Sequence, residues 1–281
     1  MLRTRVLTAL VLLLALASAA AVSPQALLAL GALFVGVALS EWLRLSGMPA
    51  ALAASVAAAA ALAGFLFQWF GGAPSAGALA AICAVSCAVW VGIGVLLVQA
   101  QRGGVQLQSA MLVAGALLLA GSAWLALVEL LRQGLVWTVS VLALVWLADI
   151  AAYFCGRAFG VRKLASRISP GKTWAGVWGA VISVIAVAEA LRWLWPLVSL
   201  WSTRILIAAP ILGIGVLVAV VALSIVGDLF ESLVKRQAGV KDSGTILPGH
   251  GGVWDRIDAT LPSLPFAVLS HWTFAGGWNH G

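Results

Sequence analysis

Charge is what this sequence has least of. Only 9% of its 281 residues are charged, about a third of the share in an ordinary soluble domain. Hydrophobic residues make up 63% of the chain, and apolar runs recur from end to end. Such runs exclude an ordinary soluble domain or a disordered chain, because uncharged stretches of about 20 residues are those that span a bilayer. We therefore predict an all-α polytopic membrane protein.

Cysteine is also scarce. Three cysteines cannot form a disulfide framework. Cys83 and Cys87 lie one helical turn apart in an apolar run, without the further nearby ligands that a zinc site needs. We predict that these thiols are buried and inert.

Eight apolar segments have lengths near that of a membrane span. They are 5–22, 25–43, 49–70, 76–99, 107–131, 135–155, 174–195 and 205–227. A ninth candidate, 261–275, is shorter and contains Pro262 and Pro265. We expect eight or nine transmembrane helices.

No internal repeat or low-complexity linker divides the chain, so we expect one membrane domain over 1–281. Within it, we expect an N-terminal multi-span region at 1–131 and a second region at 132–281, which contains most of the polar segments. The first 22 residues also resemble a secretory signal peptide. We expect them to remain as an uncleaved first span.

The basic residues indicate the orientation of these spans. With the N-terminus inside, 13 of the 16 Lys and Arg residues fall on one side of the membrane. The other side receives Arg132, Arg192 and Arg204. Since Lys and Arg accumulate in cytoplasmic loops, the basic side is predicted to be cytoplasmic.

The chain has only nine acidic residues. Three of them precede an arginine by three positions, a spacing typical of a local helical ion pair. These pairs are Glu41–Arg44, Glu129–Arg132 and Glu189–Arg192. We predict that all three are structural.

The other six carboxylates lie near polar, glycine-rich segments. Asp149 and Asp228 each end an apolar helix, where a carboxylate faces a cavity or a partner because burial is costly. Asp228 shares one predicted helix face with Ser224, Glu231, Ser232 and Lys235. A buried structural ion pair is the alternative interpretation.

Residues 241–258, KDSGTILPGHGGVWDRID, contain the remaining three acids and a histidine. Carboxylates bind Mg²⁺ together with phosphate oxygens, glycine turns let backbone N–H groups approach phosphates, and Lys and Arg neutralise phosphate charge. Asp255 and Asp258 share a face if a helix begins there. These residues predict a metal-assisted phosphate site. His250 could ligate a metal, contact a phosphate or cap the loop, and we favour a phosphate or proton-transfer role.

A second loop, SPGKTWAG at 169–176, contains Gly171-Lys172-Thr173, which match the last three residues of a P-loop. Ser166, however, lies where that motif requires its first glycine. No strand is expected before it, so we exclude a P-loop. Lys172 and Thr173 are expected to open the next helix, whose N-terminus favours anions. We predict a phosphate-contacting loop.

Residues 232–258 resemble the signature of phosphatidate cytidylyltransferases, also called CDP-diacylglycerol synthases. The matching residues are Ser232, Lys235, Arg236, Lys241, Asp242, Pro248, His250, Gly251, Gly252, Asp255, Arg256 and Asp258. The stretches 149–160 and 169–176 are also similar to the family. Gly171 and Ala175 depart from its usual lysine and glutamate, which puts a direct role for these two positions in doubt.

The resemblance implies that CTP and phosphatidic acid react to give CDP-diacylglycerol and pyrophosphate. It implies a two-cation centre on Asp228 and Asp255, with Mg²⁺ as one ion and the second ion unidentified. The further expected catalytic residues are Lys235, Arg236, Lys241, Asp242, His250, Arg256 and Asp258. The expected substrate-binding residues are Asp149, Tyr153, Ser169, Lys172, Thr173, Ser232, Gly251 and Gly252.

We also expect a location in a bacterial-type inner membrane, with the active site facing the cytoplasm. We expect no nucleic-acid partner and consider a homodimer. The main alternative function is an ion-coupled transporter that uses Asp149 and Asp228. A transporter explains buried charge but not the glycine-histidine loop. A CDP-alcohol phosphotransferase is a weaker alternative, because the chain lacks that family's Asp-Gly opening.

Overall fold

The computed structural model describes residues 2–274 as a helical bundle with one small hairpin. The helices are α1 (Leu2–Val22), α2 (Pro24–Leu45), α3 (Ala50–Trp69), α4 (Ala76–Gly103), α5 (Ser109–Gln133), α6 (Leu135–Phe159), α7 (Trp174–Leu194), α8 (Trp201–Ala208), α9 (Pro210–Gln237), α10 (Trp254–Ile257) and α11 (Thr260–Phe274). The predicted all-α polytopic membrane architecture is confirmed.

Seven helices of the described chain are long and apolar enough to cross a membrane, judged by length and composition. They are α2 to α7 and α9. The apolar part of α1, Val6–Val22, is shorter than these. The total of eight or nine spans therefore stays a prediction.

The segment predicted as one span over 205–227 belongs to two helices. Helix α8 ends at Ala208 and α9 begins at Pro210. Proline lacks a backbone N–H and disfavours a helical conformation in the preceding residue, so the break falls there. Helix α9 then continues to Gln237. The predicted boundaries were wrong at both ends.

The ninth candidate forms α11, a helix of 15 residues that packs against α4, α5 and α9. Its side chains are mostly buried by these neighbours. A helix enclosed by other helices can be apolar without spanning a bilayer, which explains its short length. Residue 275 of the predicted segment lies outside the described residues.

A two-stranded antiparallel sheet lies between α6 and α7. Strand β1 (Lys163–Ala165) pairs with β2 (Ser169–Thr173). The expectation that no strand precedes SPGKTWAG was wrong, because these short strands are too polar to show a hydrophobic alternation. Arg167 ties the hairpin to the end of α4 by donating to the Arg102 carbonyl at 3.2 Å.

An aromatic cluster joins the N-terminal helices to the C-terminal region. Trp42 of α2 stacks on Trp254 of α10, with ring centres 4.6 Å apart and planes at 4°. Phe230 of α9 packs edge-on against Trp42 and against Trp90 of α4. The cluster fixes α10 against α2 and α9, and the polar site begins beside it.

Candidate active site

The polar loops meet at one end of the bundle. The C-terminal ends of α2 and α9 contact α10 there, and β2 contacts α6, α7 and α9. Most of the residues singled out from the sequence are therefore brought to the same end. Helix α1 also reaches it, since the Thr8 hydroxyl donates to the Pro248 carbonyl at 2.8 Å.

One ion pair connects the hairpin to α9. The Lys172 ammonium in β2 pairs with the Asp228 carboxylate, and both side chains are partly exposed. Ser232 lies one turn further along α9, with its hydroxyl 3.5 Å from Asp228 Oδ1. Asp149 of α6 interacts electrostatically with both partners of the pair. Residues from three separate segments thus surround one charged position.

Lys172 lies in β2, not in the next helix as predicted. Thr173 does begin that helix, because its hydroxyl accepts from the Gly176 N–H at 3.2 Å as the N-cap of α7. The expected helix start is confirmed for Thr173 alone. Ser169 lies half-buried at the beginning of β2.

A second lysine lies between two carboxylates. Lys235 Nζ is 2.8 Å from Glu231 in the same helix and 2.5 Å from Asp255 in α10. All three side chains are largely buried. Buried charges are tolerated when they are paired and hydrogen-bonded, so this triad fixes α10 on α9.

Asp255 is the most fully bonded carboxylate of the site. Its Oδ2 accepts from the Ser243 N–H at 2.9 Å, from the Ser243 hydroxyl at 3.0 Å and from the Gly252 N–H at 2.8 Å. Burial alone would raise the pKa of Asp255. The neighbouring Glu231 and Lys235 side chains and hydrogen bonds from two backbone N–H groups instead lower that pKa to about 2. Asp255 is therefore an anion at neutral pH.

Glu41 belongs to this site and not to a local pair with Arg44. The described residues contain no Glu41–Arg44 ion pair, so that prediction was wrong. The other two pairs are confirmed, Glu129–Arg132 at 3.9 Å and Glu189–Arg192 at 2.8 Å. All three glutamates have the same i,i+3 spacing to an arginine. Glu41 differs from the other two because it contacts Ser243, which is distant in sequence.

Asp258 lies deeper than Asp255. Its carboxylate accepts from the Ala259 N–H at 2.8 Å. Burial raises the pKa of Asp258 well above its usual range, and the negative charge of Asp228 raises it further. Asp258 is therefore a poorer candidate for an anionic ligand than Asp255.

The loop around His250 is a tight turn braced by Arg256. Leu247 and Gly251 form an isolated bridge, and Gly249 and Gly251 have φ of 75° and 83°, a region that favours glycine. The Arg256 guanidinium donates to the His250 carbonyl at 2.6 Å and 3.2 Å. The Nδ1 atom of His250 is buried and has no hydrogen-bond partner among the described residues.

Six of the predicted residues are exposed, namely Asp149, Tyr153, Arg236, Lys241, Asp242 and Arg256. Arg236, Lys241 and Asp242 form no hydrogen bond or ion pair with their side chains in the described part of the chain. The Tyr153 hydroxyl accepts from Arg157 at 3.3 Å. Arg236 and Lys241 are therefore exposed cations whose side chains are unpaired within the described residues. Sequence reasoning missed Glu41 and Ser243, although Ser243 lies inside the matched signature.

The described residues contain no group of three or more His, Cys, Asp and Glu side chains placed to hold a metal ion. Mg²⁺ is commonly held by one or two protein carboxylates together with phosphate oxygens. Within the described part of the chain, the one hydrogen-bond contact of Asp228 Oδ1 is the Ser232 hydroxyl at 3.5 Å, and the one donor to Asp255 Oδ1 is Lys235. The oxygen donors therefore fit a magnesium ion that also binds a substrate phosphate.

Fold and site together define a polytopic membrane protein with paired carboxylates and lysines at one end of its bundle. The family model described as "Cytidylyltransferase family" matches residues 3–274. The chain belongs to the cytidylyltransferase family.

Three bacterial relatives, each named phosphatidate cytidylyltransferase, illustrate the similarity. That of Pseudomonas aeruginosa is 45% identical over 161 residues, 56% of this chain and 55% of that protein. That of Haemophilus influenzae is 46% identical over 135 residues, 48% of this chain and 45% of that protein. That of Brucella suis is 49% identical over 140 residues, 49% of this chain and 47% of that protein. The matched part spans about half the length of these curated relatives.

Proposed function

We propose that this protein is a phosphatidate cytidylyltransferase, which converts CTP and phosphatidic acid to CDP-diacylglycerol and pyrophosphate. Membership of the cytidylyltransferase family and the names of its relatives support this reaction. The observation that carries the proposal is the meeting of the Lys172–Asp228 and Lys235–Asp255 pairs at one end of a membrane-type bundle. Paired cations and carboxylates at such a position suit a phosphate-rich substrate and a metal ion.

The reaction requires little covalent chemistry from the protein. A phosphate oxygen of the lipid forms a bond to the α-phosphorus of CTP, and the bond between that phosphorus and the bridging oxygen to the β-phosphorus breaks. Pyrophosphate leaves with the bonding electrons. The lipid phosphate is already anionic, so no base has to remove a proton. Catalysis then consists mainly of positioning and charge neutralisation.

The cationic side chains of the site would do this neutralisation. Arg236 and Lys241 are exposed and free to contact phosphate oxygens. Lys172 and Lys235 are already fixed by their carboxylates, so they present charge at defined positions. A fixed charge costs no reorganisation when negative charge develops in the transition state.

Asp228 and Asp255 would hold Mg²⁺, and a bound Mg²⁺ supplies further neutralisation of phosphate charge. Asp255 is suited to this role because it is an anion whose orientation is fixed by the Ser243 and Gly252 backbone N–H groups and by Lys235. Metal analysis of the purified protein would identify a second cation.

We also propose that the protein lies in the bacterial inner membrane with the site on the cytoplasmic side. The charge distribution supports this orientation, because most Lys and Arg residues lie in segments at the site end of the bundle. Within the described residues and the comparisons, no observation favours an ion-coupled transporter. A homodimer stays a prediction that the mass of the purified protein would check.

The test is an assay of purified protein in detergent with CTP, phosphatidic acid and Mg²⁺. We expect labelled CDP-diacylglycerol and one pyrophosphate per product. Diacylglycerol in place of phosphatidic acid is the matched control, because it lacks the attacking phosphate. Absence of product with phosphatidic acid, together with solute uptake in liposomes, would instead establish the transporter.

A further inference from the structure

Glu41 is the most deeply buried carboxylate of the site. Its exposed fraction is 0% although it lies in α2, 202 residues before its partner Ser243. No lysine or arginine of the described chain forms an ion pair with it. Burying a carboxylate without a paired cation costs free energy unless hydrogen bonds compensate. The groups that donate to Glu41 therefore show which segment it stabilises.

Among the described residues, all the donors to Glu41 come from the signature segment 232–258. Oε1 accepts from the Val253 N–H at 3.1 Å, and Oε2 accepts from the Trp254 N–H at 2.8 Å. These two groups belong to the first turn of α10, where helix N–H groups lack partners within the helix. Oε2 also lies 2.9 Å from the Ser243 hydroxyl. Glu41 therefore fixes the segment at two points, before and after its glycine turn.

Ser243 connects Glu41 to Asp255. The same hydroxyl lies 3.0 Å from Asp255 Oδ2, and the Ser243 N–H donates to that oxygen at 2.9 Å. A hydroxyl has one proton and can donate to only one of the two carboxylates at a time. The position of Ser243, set by Glu41, thus decides where two of the donors to Asp255 lie.

The fit around Glu41 leaves no space for a side chain at two neighbouring glycines. A methyl group added to Gly244 or Gly252 would overlap the Glu41 carboxylate. The Trp42–Trp254 stack closes the adjacent side. The loop is therefore closely packed against the Glu41 carboxylate at both glycines.

We propose that Glu41 is a positioning residue: it acts through Ser243 to hold the segment 241–255 and so fixes the Asp255 carboxylate in the active site. The inference rests on the proposed function for the role of Asp255 in turnover. Its structural part, the ordering of the loop by Glu41, can be measured separately.

The test compares Glu41→Gln with Glu189→Gln. Glutamine keeps the size of the side chain but replaces one acceptor oxygen by an N–H₂ group. Glu189 is a matched control because it forms an i,i+3 pair with Arg192 away from the site. A misplaced catalytic group can cost about a hundredfold in rate, so we expect Glu41→Gln to lower kcat per folded molecule by at least about tenfold. Glu189→Gln should keep wild-type kcat.

A double-mutant cycle with Ser243→Ala tests the connection. If Glu41 acts through Ser243, the double variant loses no more activity than the worse single variant. Ser243→Ala also tests the connection from the loop side if Glu41→Gln does not yield folded protein. Losses in kcat that multiply in the double variant would overturn the connection.

Trypsin cleavage after Lys241, in the absence of substrate, gives a readout that does not depend on turnover. Lys241 is exposed at the start of the segment, and Lys163 in the hairpin is an exposed internal reference. We expect Glu41→Gln to accelerate cleavage after Lys241 and to leave cleavage after Lys163 unchanged.

The outcomes separate the two proposals. A wild-type protein without CTP turnover contradicts the proposed function, while the cleavage experiment still tests the ordering of the loop. Unchanged kcat and unchanged cleavage in Glu41→Gln overturn the positioning role. A lower melting temperature with wild-type kcat per folded molecule also overturns it, because that result shows a structural role only.

Discussion

Gly227 of α9 lies directly against the backbone of Asp258, so closely that a methyl group on its α carbon would overlap the Asp258 carbonyl oxygen. This approach lets the α10–α11 junction pack on α9 beside Asp228. The glycine immediately before Asp228 is thus required by packing against a segment 31 residues further along the chain (258 − 227).

Gly227→Ala is predicted to destabilise the protein and reduce turnover. The obstacle is backbone, which cannot move aside as a flexible side chain can, and overpacking of this kind typically costs about 1–3 kcal/mol. Gly215→Ala in the same helix is the control, since a methyl group there meets nothing within 4 Å. Melting temperatures of both variants in detergent check the prediction. Equal values would show that α9 and the junction are not packed as described.

Asp228→Asn is predicted to abolish nearly all CTP turnover with little change in melting temperature. The Lys172–Asp228 pair is partly exposed, and such pairs contribute about 0–1 kcal/mol to stability. The charge needed for metal binding is lost, although the size of the side chain is kept. Mg²⁺-titrated activity and melting curves on the same preparation measure both. Wild-type turnover in stable Asp228→Asn protein would exclude Asp228 from the metal site.

Asp255→Asn is predicted to lose turnover and stability together. Removing one partner of a buried ion pair commonly costs about 3–5 kcal/mol, and Lys235 would keep only Glu231. The Mg²⁺ dependence of any residual activity decides the role of Asp255. A purely structural role predicts that the surviving folded protein has wild-type kcat and needs no more Mg²⁺ than before.

Lys241→Ala and Arg256→Ala are predicted to reduce kcat by different routes. Lys241 has no partner in the described chain, so its loss removes only a charge available to phosphate. Removing a charge that contacts the transition state lowers the rate about 100-fold or more. Arg256 also braces the His250 carbonyl, so its loss should in addition accelerate proteolysis of the loop.

Arg204→Ala is the control for these two variants. Arg204 is exposed in α8, and its guanidinium donates to Ser199 at 3.1 Å, away from the site. Arg132 is unsuitable, because it donates to Gln68 and to the Gly72 carbonyl as well as pairing with Glu129. Equal activity of Lys241→Ala and Arg204→Ala would remove Lys241 from the site.

Thr245→Cys is predicted to be labelled by an impermeant thiol reagent only from the cytoplasmic side. Thr245 is exposed in the site loop, whereas neighbouring Ser243 is buried and would not report on sidedness. Leu197→Cys, at a position 98% exposed between α7 and α8, should react from the opposite side. The native cysteines are replaced beforehand. Labelling of Thr245→Cys in intact cells would reverse the orientation.

The sequence by itself determined the class of the fold and the neighbourhood of the site. Long apolar runs leave few structures other than membrane helices, because every backbone polar group must be satisfied inside the bilayer. The signature at 232–258 was readable because its charges and glycines interrupt those runs at fixed spacing. Lys235 and Asp255 were therefore singled out as candidates without coordinates, and Asp228 was singled out as a carboxylate that ends an apolar run.

Only the tertiary structure decided how these residues are paired and what holds them. Glu41 has the same i,i+3 arginine as Glu129 and Glu189, so local spacing predicted an ion pair. Its buried carboxylate instead lies 2.9 Å from the Ser243 hydroxyl and accepts from the Trp254 N–H in the first turn of α10. Local sequence specifies helix and spacing, whereas the choice among possible partners depends on which segments the packing of α2 against α10 brings within hydrogen-bond distance.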